Sequence, residues 1–445
     1  MPIKRLNRGL VRSLLVLGYP VMLGNMGVIL MGLIDNAMIG ALGHVELAAS
    51  GIGNTIYFVT STFGLGLISV FSATVSSYRV TDESQIPKVI NSSLLICLAV
   101  TVLTLVILWG VADNFEIFRQ KEIVQVLAVP YLKIIAISLI PMFLFASFRN
   151  VADGYSITLA AMFATLSAVG LNALLNWILI YGNLGFEAYG LRGGAMATLI
   201  SRIYMALFII GYVWNHKRIK YSWKSLIQDG ISKPIIERLL RSGVPAGMQF
   251  FYEVTAFAAV SVMAGWLGAR FLAAHQIAIS LVALTYMIAN GFSVAAMIRM
   301  GEARHQQSGL QLQHLGKNEV GFTTLMMVIF AVVIVIFKGS MVRWFTSDQQ
   351  VIEISSRLLL FAAAFQVFDG VQVVSLGLLR GMEDARVPAR LTMLSYWVVA
   401  LPVSYFFGIY LAGGMDGLWT GLTLGLFVAA ALLYLRFIKQ TRILS

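Results

Sequence analysis

The stretch LLICLAVTVLTLVILWG (94–110) carries no charge over a length close to the roughly 20 residues that take a helix across a hydrocarbon core. FTTLMMVIFAVVIVIF (322–337) does the same. Neither alternates apolar with polar residues as a membrane strand must, so both read as spanning helices, which satisfy their own backbone in lipid. The composition agrees: 59% of the 445 residues are hydrophobic and 12% charged, against roughly 25% charge in a soluble domain. Mean hydropathy is +0.84. Apolar windows bounded by charged or Gly/Pro breaks give about twelve spans, at 15–40, 47–77, 89–112, 123–148, 158–182, 190–215, 239–265, 271–300, 318–338, 350–378, 388–411 and 417–438. The expected fold class is an all-α polytopic membrane protein.

Charge sets the orientation, because Lys and Arg are retained on the cytoplasmic side. The amino end, the even-numbered connections and the carboxyl tail hold 23 of the 32 Lys and Arg. The remaining connections hold Arg119, Lys121, Arg192, Arg270, Lys338 and Arg343. Both termini are therefore expected in the cytoplasm. The net charge of +12 then faces anionic lipid, and without an aromatic-interleaved basic patch it does not point to nucleic acid. A basic head (Lys4, Arg5, Arg8, Arg12) precedes the first span. Its apolar stretch is too long for a secretory signal and lacks a small-residue cleavage site, so it reads as a retained helix. The sole cysteine, Cys97, lies in an apolar run and reads as core filler.

The chain repeats itself. A shift of 225 residues aligns Pro20 with Pro245, Met38 with Met263, Gly40 with Gly265, Leu42-Gly43 with Leu267-Gly268 and Leu47-Ala48-Ala49 with Leu272-Ala273-Ala274. A shift of 231 pairs Arg149 and Asp153 with Arg380 and Asp384, and one of 227 pairs Gly190-Leu191 and Gly194 with Gly417-Leu418 and Gly421. The matches run in order across two six-helix halves. Six is even, so the halves enter the membrane with the same polarity, related by a pseudo-two-fold axis along its normal. The expected lobes are 1–225, with helices 1–6 and part of a basic cytoplasmic linker, and 226–445, with helices 7–12. Pro20 and Pro245 each interrupt a spanning helix and are candidate hinges.

Lone acids inside spans stand out: Asp35 in VILMGLIDNAMIGAL, Glu253 in GMQFFYEVTAFAAV and Asp369 in LLLFAAAFQVFDGVQVV. An ionisable group there costs about 2.5–3.5 kcal/mol on insertion scales, so it is a functional candidate by default. A buried carboxylate either keeps a proton or recruits a cation. Protons, sodium and cationic substrates competing for its oxygens suffice for ion-coupled exchange. Arg202 lies near mid-depth and is a candidate partner for an acid. His275 beside Gln276 reads as a packed polar pair between helices rather than a proton carrier. No HExxH, phosphate loop or nucleophile elbow appears in a suitable context, so an enzyme is not expected. Phe250, Phe251, Tyr252, Tyr286, Phe365 and Phe368 lie in sequence near the carboxyl-half acids. Tyr252, Tyr286, Phe365 and Phe368 are candidate substrate-cavity residues, since an aromatic wall beside carboxylates suits flat organic cations.

The segments GLIDNAMIGALGHVELAASG, GVPAGMQFFYEVTAFA, AAHQIAISL (273–281), IRMGEA (298–303) and LLLFAAAFQVFDGVQVVSLGLLRGMEDARVP resemble the multidrug and toxic compound extrusion (MATE) family, over essentially the whole chain. The NorM-like branch is most similar, with its glutamate in the seventh helix and aspartate in the tenth. The resemblance implies two six-helix bundles around a V-shaped cavity. It also implies export of cationic, amphipathic drugs and dyes from the cell (inner) membrane in exchange for protons or sodium, with no cofactor. Asp35 matches the family's first-helix acid, and Glu253 and Asp369 match its carboxyl-lobe cation site, which is also the candidate Na+ site. LNALLNWILIYG (171–182) resembles the fifth-helix motif and supplies Asn172 and Asn176; GGAMAT (193–198) resembles the sixth-helix motif and supplies Thr198. These would hydrogen-bond Asp35 differently in its charged and neutral forms. ATVSSYR (73–79) departs from the Gln and Gly-Ala pair that ends the second helix of many relatives. Asn176 stands where some relatives carry an aspartate. One acid among amides suits a proton better than sodium, so proton antiport is preferred, by a monomer handling cationic drugs among membrane lipids. The alternative is a lipid-linked oligosaccharide flippase of the same superfamily. It would call for basic residues lining the cavity, where only Arg202, Lys133 and Arg357 lie at mid-depth.

Overall fold

The computed structural model describes residues 8–443 apart from 119, 220, 222 and 347. Lys4, Arg5, Arg119 and Lys220, counted for orientation, lie outside the described residues, as do the side chains of Arg8 and Arg12. Every regular element among the described residues is helical. Twelve of these helices are long and apolar enough to cross a membrane: α1 (Leu14–Gly40), α2 (His44–Thr81), α3 (Glu83–Asp113), α4 (Glu122–Gly154), α5 (Leu159–Tyr181), α6 (Gly190–Asn215), α7 (Lys233–Leu267), α8 (Ala269–Ala303), α9 (Gly309–Arg343), α10 (Gln349–Gly381), α11 (Arg386–Tyr410) and α12 (Gly414–Ile443). Each coincides with one window read from the sequence. Large apolar side chains stay on the outside, for example Val106 (65% exposed), Leu207 (65%) and Ile336 (67%), as lipid contact allows. Buried hydroxyls turn back onto their own helix: Thr101 donates to the Cys97 carbonyl at 2.6 Å and Ser201 to that of Ala197 at 2.8 Å.

Some spans are not plain α-helix. Residues 394–400 and 406–410 of α11 widen into π-helical turns around Pro402, whose missing N–H removes one regular α-helical bond. The helix α10 begins on Asp348, whose carboxylate accepts from Gln350 N at 2.9 Å and Val351 N at 3.3 Å. These backbone donors, with the Arg270 charge, hold the Asp348 carboxyl below its ordinary range.

The chain packs as two compact units, one formed by Leu23–Gly247, the other by the segment ending at Met22 together with Met248–Ser445. This division differs from a cut at 225. Positions 22 and 247 stand at the same offset of 225 as Pro20 and Pro245, so each packing boundary falls just past a proline inside a continuous helix. The contacts on either side repeat that offset. Gly18 of α1 faces Phe292 of α8 within one unit, and Gly243 of α7 faces Leu67 of α2 within the other.

One register read from the sequence needs correcting. After α4, Ser156 N bonds to Asp153 O at 2.8 Å and Ile157 N to Ala152 O at 2.9 Å; after α10, Glu383 N bonds to Arg380 O and Asp384 N to Leu379 O, both at 2.9 Å. Ser156 and Glu383 both take left-handed backbone, with φ of 63° and 60°. The turns match at an offset of 227. Pairing Arg149 and Asp153 with Arg380 and Asp384 at 231 is therefore one helical turn out of step. The side chains agree: Arg149 pairs with Asp153 at 3.6 Å on its own helix, whereas Asp384 binds Arg436 at 2.6 Å.

Candidate functional site

In the unit Leu23–Gly247, α5 presents Asn172 and Asn176 on one face because they are four residues apart. A Cβ at Gly193 would overlap the Leu179 carbonyl oxygen, so glycine there lets α6 approach α5 closely. These helices surround Asp35 of α1, which is 7% exposed. Asn176 Nδ2 donates to Asp35 Oδ1 at 2.6 Å and to Asn172 Oδ1 at 3.2 Å. Thr198 Oγ1 lies 2.8 Å from Asp35 Oδ2 and 3.1 Å from the Gly194 carbonyl oxygen. A hydroxyl has one hydrogen, so Thr198 donates to one of these acceptors at a time. Asn172 Nδ2 is near the carboxylate but outside hydrogen-bond geometry, and it is buried without a partner among the described residues, as is Asn176 Oδ1. The three polar residues singled out beside Asp35 are thus brought together on it.

Arg202 reaches Asp35 only through its field. Its guanidinium lies 4.7 Å from the Tyr57 ring centroid and donates to Ser138 Oγ at 2.5 Å. The other two cations read from the sequence as mid-depth have acidic partners at helix ends: Lys133 Nζ is 2.7 Å from Oδ1 of Asp113, the last residue of α3, and Arg357 pairs with Asp416 in the first turn of α12.

In the unit containing Met248–Ser445, Glu253 of α7 and Asp369 of α10 are close enough to repel one another. Gln372 Nε2 and Tyr396 Oη each stand 3.5 Å from Glu253 Oε1, the outer limit of a hydrogen bond, while Tyr396 Oη donates to Gln372 Oε1 at 3.0 Å. Glu253 is therefore loosely held. Asp369 is 4% exposed and makes no hydrogen bond among the described residues. Arg380 acts electrostatically on Glu253 while donating to Gln249 Oε1 at 2.9 Å and lying over the Phe250 ring at 4.9 Å. Two carboxylates, two neutral oxygens and one fixed cation can accommodate a proton or a monovalent cation. Among the described residues no group of three or more His, Cys, Asp or Glu gathers as a metal site would need.

The aromatic candidates divide. Tyr286 feels both Glu253 and Asp369. Phe365 is 2% exposed, wedged between Phe257 at 5.9 Å and Trp419 at 6.0 Å between ring centroids. Phe368 packs edge-on against Phe427 at 5.2 Å, and the Tyr252 carbonyl accepts from Trp397 Nε1 at 3.2 Å. His275 is buried but meets Ser261 at 3.0 Å; Gln276, expected beside it, points outward.

Gln372, Tyr396 and Gln249 were not singled out from the sequence, and Arg380 was read only as a repeat match, not as part of a site. Gln372 sits three residues beyond Asp369 and Gln249 four ahead of Glu253, each close to one helical turn from an acid, and these spacings are the local signals available.

The MatE family model matches residues 20–178 and 245–406. A multidrug resistance protein MdtK of Yersinia pseudotuberculosis is 31% identical over 96% of this chain and 94% of its own. A probable multidrug resistance protein NorM of Mesorhizobium japonicum is 29% identical over 97% and 94%. Among solved structures, an outward-facing multidrug resistance MATE family transporter superposes with a TM-score of 0.88 at 21% identity, covering 99% of this chain and 100% of that one. The eukaryotic MATE transporter AtDTX14 superposes at 0.87 with 17% identity, covering 98% of each.

Proposed function

The chain belongs to the MatE family and is a multidrug efflux transporter; we propose that it exports cationic amphipathic compounds in exchange for protons, with sodium as the second candidate coupling ion. The observation that carries this reading is the polar cage around Asp35. Ionised, Asp35 accepts from Asn176 and Thr198 at 2.6 and 2.8 Å. On taking a proton it becomes a donor. Thr198 Oγ1 can then accept that hydrogen while its own turns to the Gly194 carbonyl oxygen, 3.1 Å away. One proton thereby reverses the direction of the hydrogen bond that joins α1 to α6.

That reversal bears on α1, which carries Pro20 just ahead of a packing boundary. Pro20 and Pro245 are the proposed hinges, and alternating exposure of the acids follows if α1 and α7 bend there. Glu253 and Asp369 form the second cation-exchange site, with Gln372 and Tyr396 as neutral oxygen donors that suit sodium as well as a proton. A cationic substrate would compete for these carboxylates beside Tyr286, with Tyr252, Phe365 and Phe368 as the further candidates for its aromatic contacts. The excess of Lys and Arg on the even-numbered connections supports insertion in the cell (inner) membrane with both termini cytoplasmic, and the chain is taken to act as a monomer.

A pyrophosphate-bearing lipid would require free cations at mid-depth. Lys133 and Arg357 have acidic partners, Arg202 is engaged by Tyr57 and Ser138, and Arg380 is held by Gln249 and Phe250 beside Glu253, so the flippase reading loses support. Ethidium efflux from proteoliposomes, driven first by an imposed proton gradient and then by a sodium gradient, tests the proposal. Efflux with the proton gradient alone is expected; efflux with sodium alone would transfer coupling to sodium, and no gradient-driven efflux would remove antiport.

A further inference from the structure

Within the unit Leu23–Gly247, the end of α2, the start of α3 and the segments that follow α4 and α6 form an open cavity of about 400 Å³ lined by Arg79, Glu83, Tyr155, Ser156, Lys217 and Arg218. Three cations face one acid there. Arg79 is held in place, its Nη1 donating to the Gly154 carbonyl oxygen at 3.3 Å beside the Tyr155 ring. Burial, with the nearby Glu83 charge, pushes the Tyr155 phenol up to about 12, so it remains a donor at neutral pH.

The internal repeat shows what distinguishes this place. Arg304, at the 225 offset from Arg79, donates to the Met382 carbonyl oxygen at 2.9 Å and pairs with Glu383 at 3.3 Å. The counterpart of Glu383 in the other turn is Ser156. The turn position that holds an acid in one half thus holds a neutral hydroxyl in the other, where Lys217 and Arg218 are added to the lining.

A second cavity, about 320 Å³, is apolar, with Cys97, Leu98, Leu144, Phe148, Trp214 and Tyr221 among its walls. The end of α6 and the segment after it serve both cavities: Lys217 and Arg218 line the first, Trp214 and Tyr221 the second. Arg218 and Tyr221 are three residues apart, at most about 10 Å along the chain. This segment is anchored. Tyr221 Oη donates to Asn91 Oδ1 at 2.7 Å, and Asn91 Nδ2 donates to the Ser225 and Gly230 carbonyl oxygens at 3.1 and 3.0 Å.

We propose that the paired cavities bind one anionic phospholipid, its phosphate among Arg79, Lys217 and Arg218 and an acyl chain against Leu144, Phe148 and Trp214. A free phosphate would satisfy the first cavity and leave the second unused. A zwitterionic headgroup would bring a cation into a site that already holds an excess of them. By the orientation argued from charge, the basic cavity faces the cytoplasmic leaflet, where anionic lipid is found.

Native mass spectrometry of the full chain in detergent, titrated with phosphatidylglycerol, phosphatidylcholine or inorganic phosphate, tests this. Phosphatidylglycerol should be retained about tenfold better than phosphatidylcholine, and Lys217→Gln with Arg218→Gln should abolish that preference. Both side chains are exposed, so this variant should fold. Leu144→Trp, filling the apolar cavity, should weaken phosphatidylglycerol retention while leaving the basic residues intact. Equal retention of the two lipids by the wild type, unchanged preference in the Lys217/Arg218 variant, or displacement of phosphatidylglycerol by equimolar inorganic phosphate would overturn the assignment; the last outcome would make the site one for free phosphate.

Discussion

Asn176 donates its amide to Asp35 across 2.6 Å, joining α5 to α1 within a single packing unit. Thr198 holds the other carboxylate oxygen at 2.8 Å and has an alternative acceptor 3.1 Å away. The acid is thus fixed by one donor that stays and one that can turn away. Thr198→Val keeps the shape and removes the turning donor. Gradient-driven ethidium efflux should fall by about fivefold, the equivalent of one hydrogen bond, with expression and thermal stability near wild type.

At the second site the graded contacts imply graded losses. Tyr396 bonds well to Gln372 at 3.0 Å and only marginally to Glu253 at 3.5 Å. Tyr396→Phe should therefore cost about threefold in initial efflux rate. Glu253→Gln and Asp369→Asn, which remove the charge itself, should each cost at least about tenfold. Equal losses in all three variants would place Tyr396 among the cation ligands proper.

Away from both sites, Arg299 of α8 lies 3.2 Å from Glu319 of α9, whose side chain is 1% exposed. Removing one partner leaves an uncompensated buried charge, so Arg299→Ala should destabilise the protein by about 3–5 kcal/mol. Replacing both, Arg299→Leu with Glu319→Leu, should recover most of that. Thermal unfolding in detergent, tryptophan fluorescence against temperature, reads the difference.

Close approach of α5 and α6 can be tested by adding one methyl group. A Cβ at Gly193 would overlap the Leu179 carbonyl oxygen, whereas one at Gly211 on the same helix meets nothing within 4 Å. Gly193→Ala should cost about 1–3 kcal/mol through overpacking; Gly211→Ala should be neutral or gain up to about 1 kcal/mol from helix propensity. The same unfolding measurement separates them.

The fold was legible because an apolar run such as 94–110 admits one solution in lipid, and all twelve windows are helices. Asp35, Asn172, Asn176 and Thr198 were legible because a charge in a span is conspicuous and the motifs around it are specific. The carboxyl-half site was legible only in its charges. Gln372 and Tyr396 are neutral residues on long helices; Gln372 carries only its one-turn spacing from Asp369, and Tyr396 carries no periodic or charge signal that separates it from ordinary packing. Glu319 sits at the edge of its apolar window, where a buried acid looks like a solvated one. The 231 pairing misled because Arg149 and Arg380 each sit four residues ahead of an aspartate, while register is set by the backbone turn at Ser156 and Glu383. The packing boundaries at 22 and 247 were not readable either, since α1 and α7 are continuous in sequence pattern through their prolines.

The central claim is that the carboxylates buried in the two units exchange cations to drive efflux. Ethidium efflux from proteoliposomes under an imposed proton gradient should be measured for the wild type and for the combined variant Asp35→Asn, Glu253→Gln and Asp369→Asn, matched for reconstituted protein. The wild type should pump and the combined variant should show only passive leak. Wild-type efflux from the combined variant would contradict the account.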